Sequence, residues 1–181
     1  MVHAKESQAL DPSNVACPSP WMLVSMRLKD EHDQLTEELQ DIRFVAQSIY
    51  DETDTKRARA ILQALKRRMV DFMRRLHAHS EWEEREVFPV VNLYFHRLLK
   101  PSITPSIWVM EKEQKLADLF AQSFFEAEEA LPEAATREQN RQAAAHLLQA
   151  CLILQEHFEL EEELIFPLAE QMLTDIDYFH S

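Results

Sequence analysis

Two stretches of the chain set an imidazole and a carboxylate four residues apart, with the same sequel. His79-Ser-Glu-Trp-Glu83 runs on to Phe88-Pro89, and His157-Phe-Glu-Leu-Glu161 runs on to Phe166-Pro167. Matching positions are 78 residues apart throughout. On a helix, residues i and i+4 lie on one face, one turn apart. Each copy therefore aims a nitrogen donor and an oxygen donor in one direction. Two such pairs facing each other would make a metal site. A single His/Glu pair at this spacing is usually a surface contact worth a few tenths of a kcal/mol. What matters is where the pairs sit on their helices.

The apolar pattern answers that. Four helical segments are predicted, with breaks near 51–54, 89–104 and 131–136. The first sets Leu28, His32, Leu35, Leu39, Ile42, Ala46 and Ile49 at alternating steps of four and three. The second does so with Leu62, Leu65, Met69, Phe72, Leu76, His79 and Glu83. The fourth does so with Leu147, Ala150, Leu154, His157, Glu161, Leu164 and Leu168. This is the seam pattern of packed helices. Histidine and glutamate stand in the seam between leucines, away from the solvated face. His32 joins the two pairs as a third imidazole.

The third segment begins after Pro101, with Thr104 as expected N-cap and Pro105 at the first helical position. Thr136-Arg-Glu-Gln139 fits a capping box opening the fourth, with Pro132 as an earlier alternative. Pro89 and Pro167 are expected to end or kink their helices. The stretch 90–100 reads as a short extra helix. The expected fold is all-α: an antiparallel up-down-up-down four-helix bundle made of a duplicated helical hairpin. Residues 1–20 read as an irregular tail, 21–175 as the bundle and 176–181 as a C-terminal tail.

Composition narrows the function classes. The chain of 181 residues has no glycine, which argues against glycine-rich phosphate loops and for long helices. A net charge of −13 disfavours nucleic acid and anionic membranes as partners. The N-terminal MVHAKESQAL is too polar for a signal peptide, and no apolar run approaches membrane-spanning length. Cys17 and Cys151 are far apart and form no CxxC, which suggests a reducing, cytoplasmic setting. Cys151 reads as a small core residue.

A duplicated hairpin calls for a counterpart of His32 in the third segment, and no histidine is there. Placing Glu113 opposite His32 puts Val109, Leu116 and Phe120 in the seam. Placing Gln114 there puts Met110, Ala117 and Ala121 in it. The first keeps larger apolar groups inside, and an ionised carboxylate is the better cation ligand, which favours Glu113. His77 and His146 read as partly buried structural residues beside the seam, and His3, His96 and His180 as exposed. Glu84, Glu162 and Glu163 read as a solvated acidic surface, and Glu31 and Asp33 as exposed. Trp82, Phe88, Phe158 and Phe166 read as packing that keeps water from the site.

With Glu31-His32 and the two H-x-x-x-E-E…F-P segments, the chain resembles the hemerythrin-like family with the HHE cation-binding domain, over about residues 22–172. The resemblance implies His32, His79, Glu83, His157 and Glu161 as metal ligands. The family usually has a histidine in the third helix, where this sequence has Glu113 or Gln114. Three histidines and three carboxylates suit iron, manganese or zinc, and carboxylates from opposite helices can bridge two cations. The implied function is a di-metal site, iron first, binding or reducing a small molecule such as O2, peroxide or NO. Oxygen binding, oxidative or nitrosative stress and iron response are the roles the family suggests. A peroxidase or oxidase is a second option. A zinc- or mono-iron-binding interaction or sensing module without turnover is a third. The oligomeric state stays open, with a homodimer as one option.

Overall fold

The computed structural model describes residues 20–97 and 103–180. Among these residues five α-helices follow one another: α1 (Pro20–Ser48), α2 (Thr55–Trp82), α3 (Phe88–Arg97), α4 (Thr104–Glu129) and α5 (Arg137–His180). A π turn, Glu83–Val87, joins α2 to α3. No strand occurs among the described residues. α1, α2, α4 and α5 form the four-helix bundle. α1 packs on α2 and α5, and α4 packs on α5 and α2.

Local chemistry starts the helices where the sequence signals them. The Asp54 carboxylate accepts from the backbone N–H groups of Lys56 and Arg57, satisfying two orphan donors of α2. At α5 the capping box is reciprocal. The Thr136 backbone N–H donates to Gln139 Oε1 (2.9 Å), and the Gln139 N–H donates to Thr136 Oγ1 (3.2 Å). α4 starts one residue before its expected first position, with Ile103 as N-cap. α5 continues helically to His180, through the positions read as a C-terminal tail.

Neither proline stops its chain. The α2 hydrogen-bond pattern opens instead into the π turn, in which the Phe88 N–H donates to Glu83 O. The widened turn carries the helical path past Pro89 into α3. Pro167 lies inside α5. There the burial of Ile165, Ala169 and Met172 on one face offsets the lost backbone bond.

The seams of α1 and α2 are buried as the spacing predicts. In α5 the buried set shifts by one residue after Glu161, to Ile165 and Ala169 in place of Leu164 and Leu168. A 3.6-residue helix drifts against a 3.5-residue pattern in this way. The apolar interior forms two clusters. One contains Leu35, Leu76 and Leu154, and the other contains Leu28, Val87 and Ile165. His32, His79 and His157 lie in sequence between members of the two, as a polar layer held between apolar walls.

α4 departs from its expected register. Met110 (2 %), Ala117 (0 %) and Ala121 (2 %) are buried, whereas Val109 (39 %) and Leu116 (45 %) are exposed. The seam therefore follows the Gln114 alternative. Small residues let helices approach closely, so size was the wrong guide to which face turns inward. Enlarging Ala117 to Leu should cost about 1–3 kcal/mol by overpacking. Leu116→Ala should stay within about 0.5 kcal/mol of wild type. Urea unfolding of both variants checks the register, and the reverse order would refute it.

Candidate metal centre

Three helices bring the polar layer together. α1 supplies His32, α2 supplies His79, the first residue of the π turn is Glu83, and α5 supplies His157 and Glu161. All five are buried. Glu161 faces two imidazoles from different helices. Its Oε2 is 3.1 Å from His32 Nε2, and its Oε1 is 3.2 Å from His157 Nε2. Glu83 Oε1 lies 3.4 Å from His79 Nε2. One donor atom each from His79, Glu83 and Glu161 lie within 4.8 Å of one another, close enough to hold a metal ion. The Phe158 and Phe166 rings pack against His32 in T-shaped arrangements, with centroids 4.8 and 5.0 Å away.

Each imidazole also meets a carboxylate at its outer nitrogen. His79 Nδ1 donates to Glu31 Oε2 at 3.0 Å. Glu162 Oε1 stands 3.4 Å from His32 Nδ1, and Glu113 Oε2 stands 4.0 Å from His157 Nδ1. Helical spacing alone assigns Glu31 and Glu162 to solvent. Both are partly solvated, yet each reaches a buried ring. Glu113 approaches His157 from the side turned away from Glu161. Gln114 instead lines a cavity of about 10 Å³ together with Ser80, Glu83, Met110, His157 and Glu161. His77 is exposed and bonds Asp118 on α4, so it stands apart from the site. His146 is partly buried. Cys151 is buried and free, with its thiol pushed up to about 12 by burial. Cys17 and His3 lie outside the described residues.

The hemerythrin HHE cation-binding domain matches residues 24–168. The chain belongs to this family. No curated protein and no solved structure matches it. Membership in the hemerythrin family implies cation binding, and the donor set of this bundle fits a cation on its own terms. Among the described residues, the buried side-chain atoms without a hydrogen bond include His79 Nε2, Glu83 Oε1 and both nitrogens of His157. A native interior leaves few such atoms unmatched. Here they converge on one layer, and imidazole nitrogen with carboxylate oxygen suits a first-row divalent ion.

The electrostatics of the protein without a cation point the same way. Burial opposes protonation of His79, but Glu83 beside it and Glu31 outweigh burial and lift it to about 9. His157 is also raised, with the Glu161 charge overcoming burial. Burial and the nearby Glu161 charge push Glu83 up to about 7. Burial alone would raise Glu161 too, but His157 and His32 hold it well below the usual carboxylate range. One buried carboxylate thus keeps its charge, the other is readily protonated, and positive charge is drawn in as protons.

A pH dependence follows for metal-stripped protein. His79 contributes stability that is whole below its ordinary 6.5 and is lost as pH rises through about 9. Glu83 acts in the same sense, because its ionisation in the fold becomes costly between its ordinary 4.5 and about 7. Glu161 acts oppositely, losing its contribution only as pH falls below 4.5. Stripped protein should therefore lose on the order of 2 kcal/mol between about pH 6 and about pH 9 in urea unfolding. A stability that climbs over that range would contradict the assignment.

Proposed function

We propose that the hemerythrin-like bundle holds two metal ions, iron first, and uses them on a small molecule such as O2, peroxide or NO. The observation that carries this reading is the division of Glu161, whose two oxygens face His32 and His157 on different helices. A carboxylate placed so is suited to sharing between two ions. His32, His79, Glu83, His157 and Glu161 are the proposed ligands. The α4 register supports Gln114 over Glu113 as the residue next to the ions. Glu113 is the alternative sixth ligand, and reaching that role requires it to swing past the His157 ring.

When bound, iron supplies the redox chemistry; the chain supplies the setting. The imidazoles present Nε2 toward the two inner glutamates. Phe158, Phe166 and Trp82 exclude bulk water around them. The cavity beside Gln114 has about the space one water needs, which favours a diatomic or peroxide over an organic substrate. Oxygen or nitric oxide response, oxidative stress and iron response are roles that fit such a site. The widely spaced cysteines suit a reducing, cytoplasmic setting. No described helix is long and apolar enough to cross a membrane.

A second reading has its own support. The tightest triad is His79, Glu83 and Glu161 alone, and α4 brings no imidazole. That set suits one zinc or one iron in a sensing or interaction module without turnover.

Metal analysis of purified protein, with optical spectra under oxygen and peroxide, separates the two. About two irons per chain, with a charge-transfer band that responds to oxygen or peroxide, is the expected result. One spectroscopically silent ion per chain would favour the second reading. His157→Ala should remove one ion of the pair, and Glu161→Ala should remove both. Glu113→Gln should leave the stoichiometry intact, and loss of an ion from it would place Glu113 among the ligands.

A further inference from the structure

We infer that Glu31, held by Arg27, is a positioning residue that fixes the ring of His79 for its cation. The inference rests on the metal-centre reading above and extends it to residues outside the ligand set. Glu31 is next to His32 in sequence, yet its carboxylate serves a different imidazole on a different helix. Oε2 accepts from His79 Nδ1 at 3.0 Å, and Oε1 accepts from Arg27 Nε at 2.7 Å. The Arg27 guanidinium in turn lies over the Trp82 ring, 4.1 Å from its centroid. Trp82 is buried and belongs to the same helix as His79. The chain of contacts therefore closes on itself: α2 to Arg27, Arg27 to Glu31, and Glu31 back to α2.

The physical effect is specific. An ionised carboxylate can only accept, so it selects the form of His79 that carries hydrogen on Nδ1. Nε2 is then the nitrogen presented to Glu83 and to a cation. The ring is also held in orientation, which lowers the cost of ordering it on binding.

The other two rings are held less firmly. Glu162 is 3.4 Å from His32 and half exposed, and Glu113 is 4.0 Å from His157. Neither carries an arginine ion pair at 4 Å or less among the described residues. The clamp on His79 borders a groove of about 270 Å³ between α1 and α2 that Arg74 and Arg75 also line. Those residues pair with Asp71 and Glu38, so Arg27 is the arginine that serves Glu31.

Zn(II) is the probe, used on the stripped full chain with chelator competition for affinity and ¹⁵N–¹H spectra for the imidazoles. Glu31→Ala should weaken Zn(II) about tenfold or more and remove the His79 Nδ1–H signal. Glu31→Gln, which keeps an acceptor oxygen but not the charge, should restore most of the affinity. Glu37→Ala, an exposed change on the same helix, should have no effect. Glu31→Ala matching Glu37→Ala would overturn the inference. So would Glu31→Gln as weak as Glu31→Ala, because the effect would then be charge alone. If wild-type protein takes up no Zn(II), the metal reading fails separately. The positioning claim is then decided on metal-free protein: an Nδ1–H signal of His79 that Glu31→Ala abolishes supports it, and one that is unchanged overturns it.

Discussion

Two carboxylates, Glu83 and Glu161, are buried within reach of one another between apolar walls, and the rest of the molecule answers to that fact. An uncompensated ion in such a place costs several kcal/mol, and a second like charge beside it costs more. The bundle meets the cost with imidazoles drawn from three helices. Without a cation, burial is outweighed by the neighbouring glutamates, which leave His79 and His157 holding protons more readily than a free imidazole; in the proposed metal-bound state the three imidazoles would be ligands. The same geometry serves both states, because each ring turns Nε2 toward an inner carboxylate.

This demand explains the arrangement on either side. A ring must be carried to the right depth of the bundle, and a seam position between two leucines does that. The two apolar clusters clamp α1, α2 and α5 above and below the polar layer, so the donors do not drift in register. The π turn adds a local device. It starts at Glu83, and it alters the helix at the one point where a carboxylate must meet both His79 and Glu161. α4 plays a different part from its counterpart α1. It closes the bundle through Ala117 and Ala121 and offers Gln114 to the cavity, so the two hairpins are alike in topology and unlike in chemistry.

The fold was legible because its signals are repeated and local. The seams of α1 and α2, that of α5 as far as Glu161, the capping box of α5 and the paired His-x-x-x-Glu motifs can be read directly from spacing. α4 was misread because its inward face is built of alanines while Trp108, Leu116 and Leu119 face out, and apolar size does not mark the buried face there. Glu31 and Glu162 were missed for another reason. Each flanks a seam residue in sequence, and a neighbour in sequence points about 100° away on a helix. Their long side chains still reach a ring. The Arg27-x-x-x-Glu31 pair was the available clue, since an i, i+4 ion pair fixes where the carboxylate stands. The Phe-Pro sequels predict that each helix ends or kinks. A chain can also widen one turn and continue, and spacing does not distinguish the two.

The most direct test is anomalous diffraction from crystals of metal-loaded protein, recorded on both sides of the metal's absorption edge. The account predicts anomalous density inside the polar layer, bounded by the Nε2 atoms of His32, His79 and His157 and by the carboxylates of Glu83 and Glu161. Density on the acidic surface alone, with that layer holding none, would contradict it.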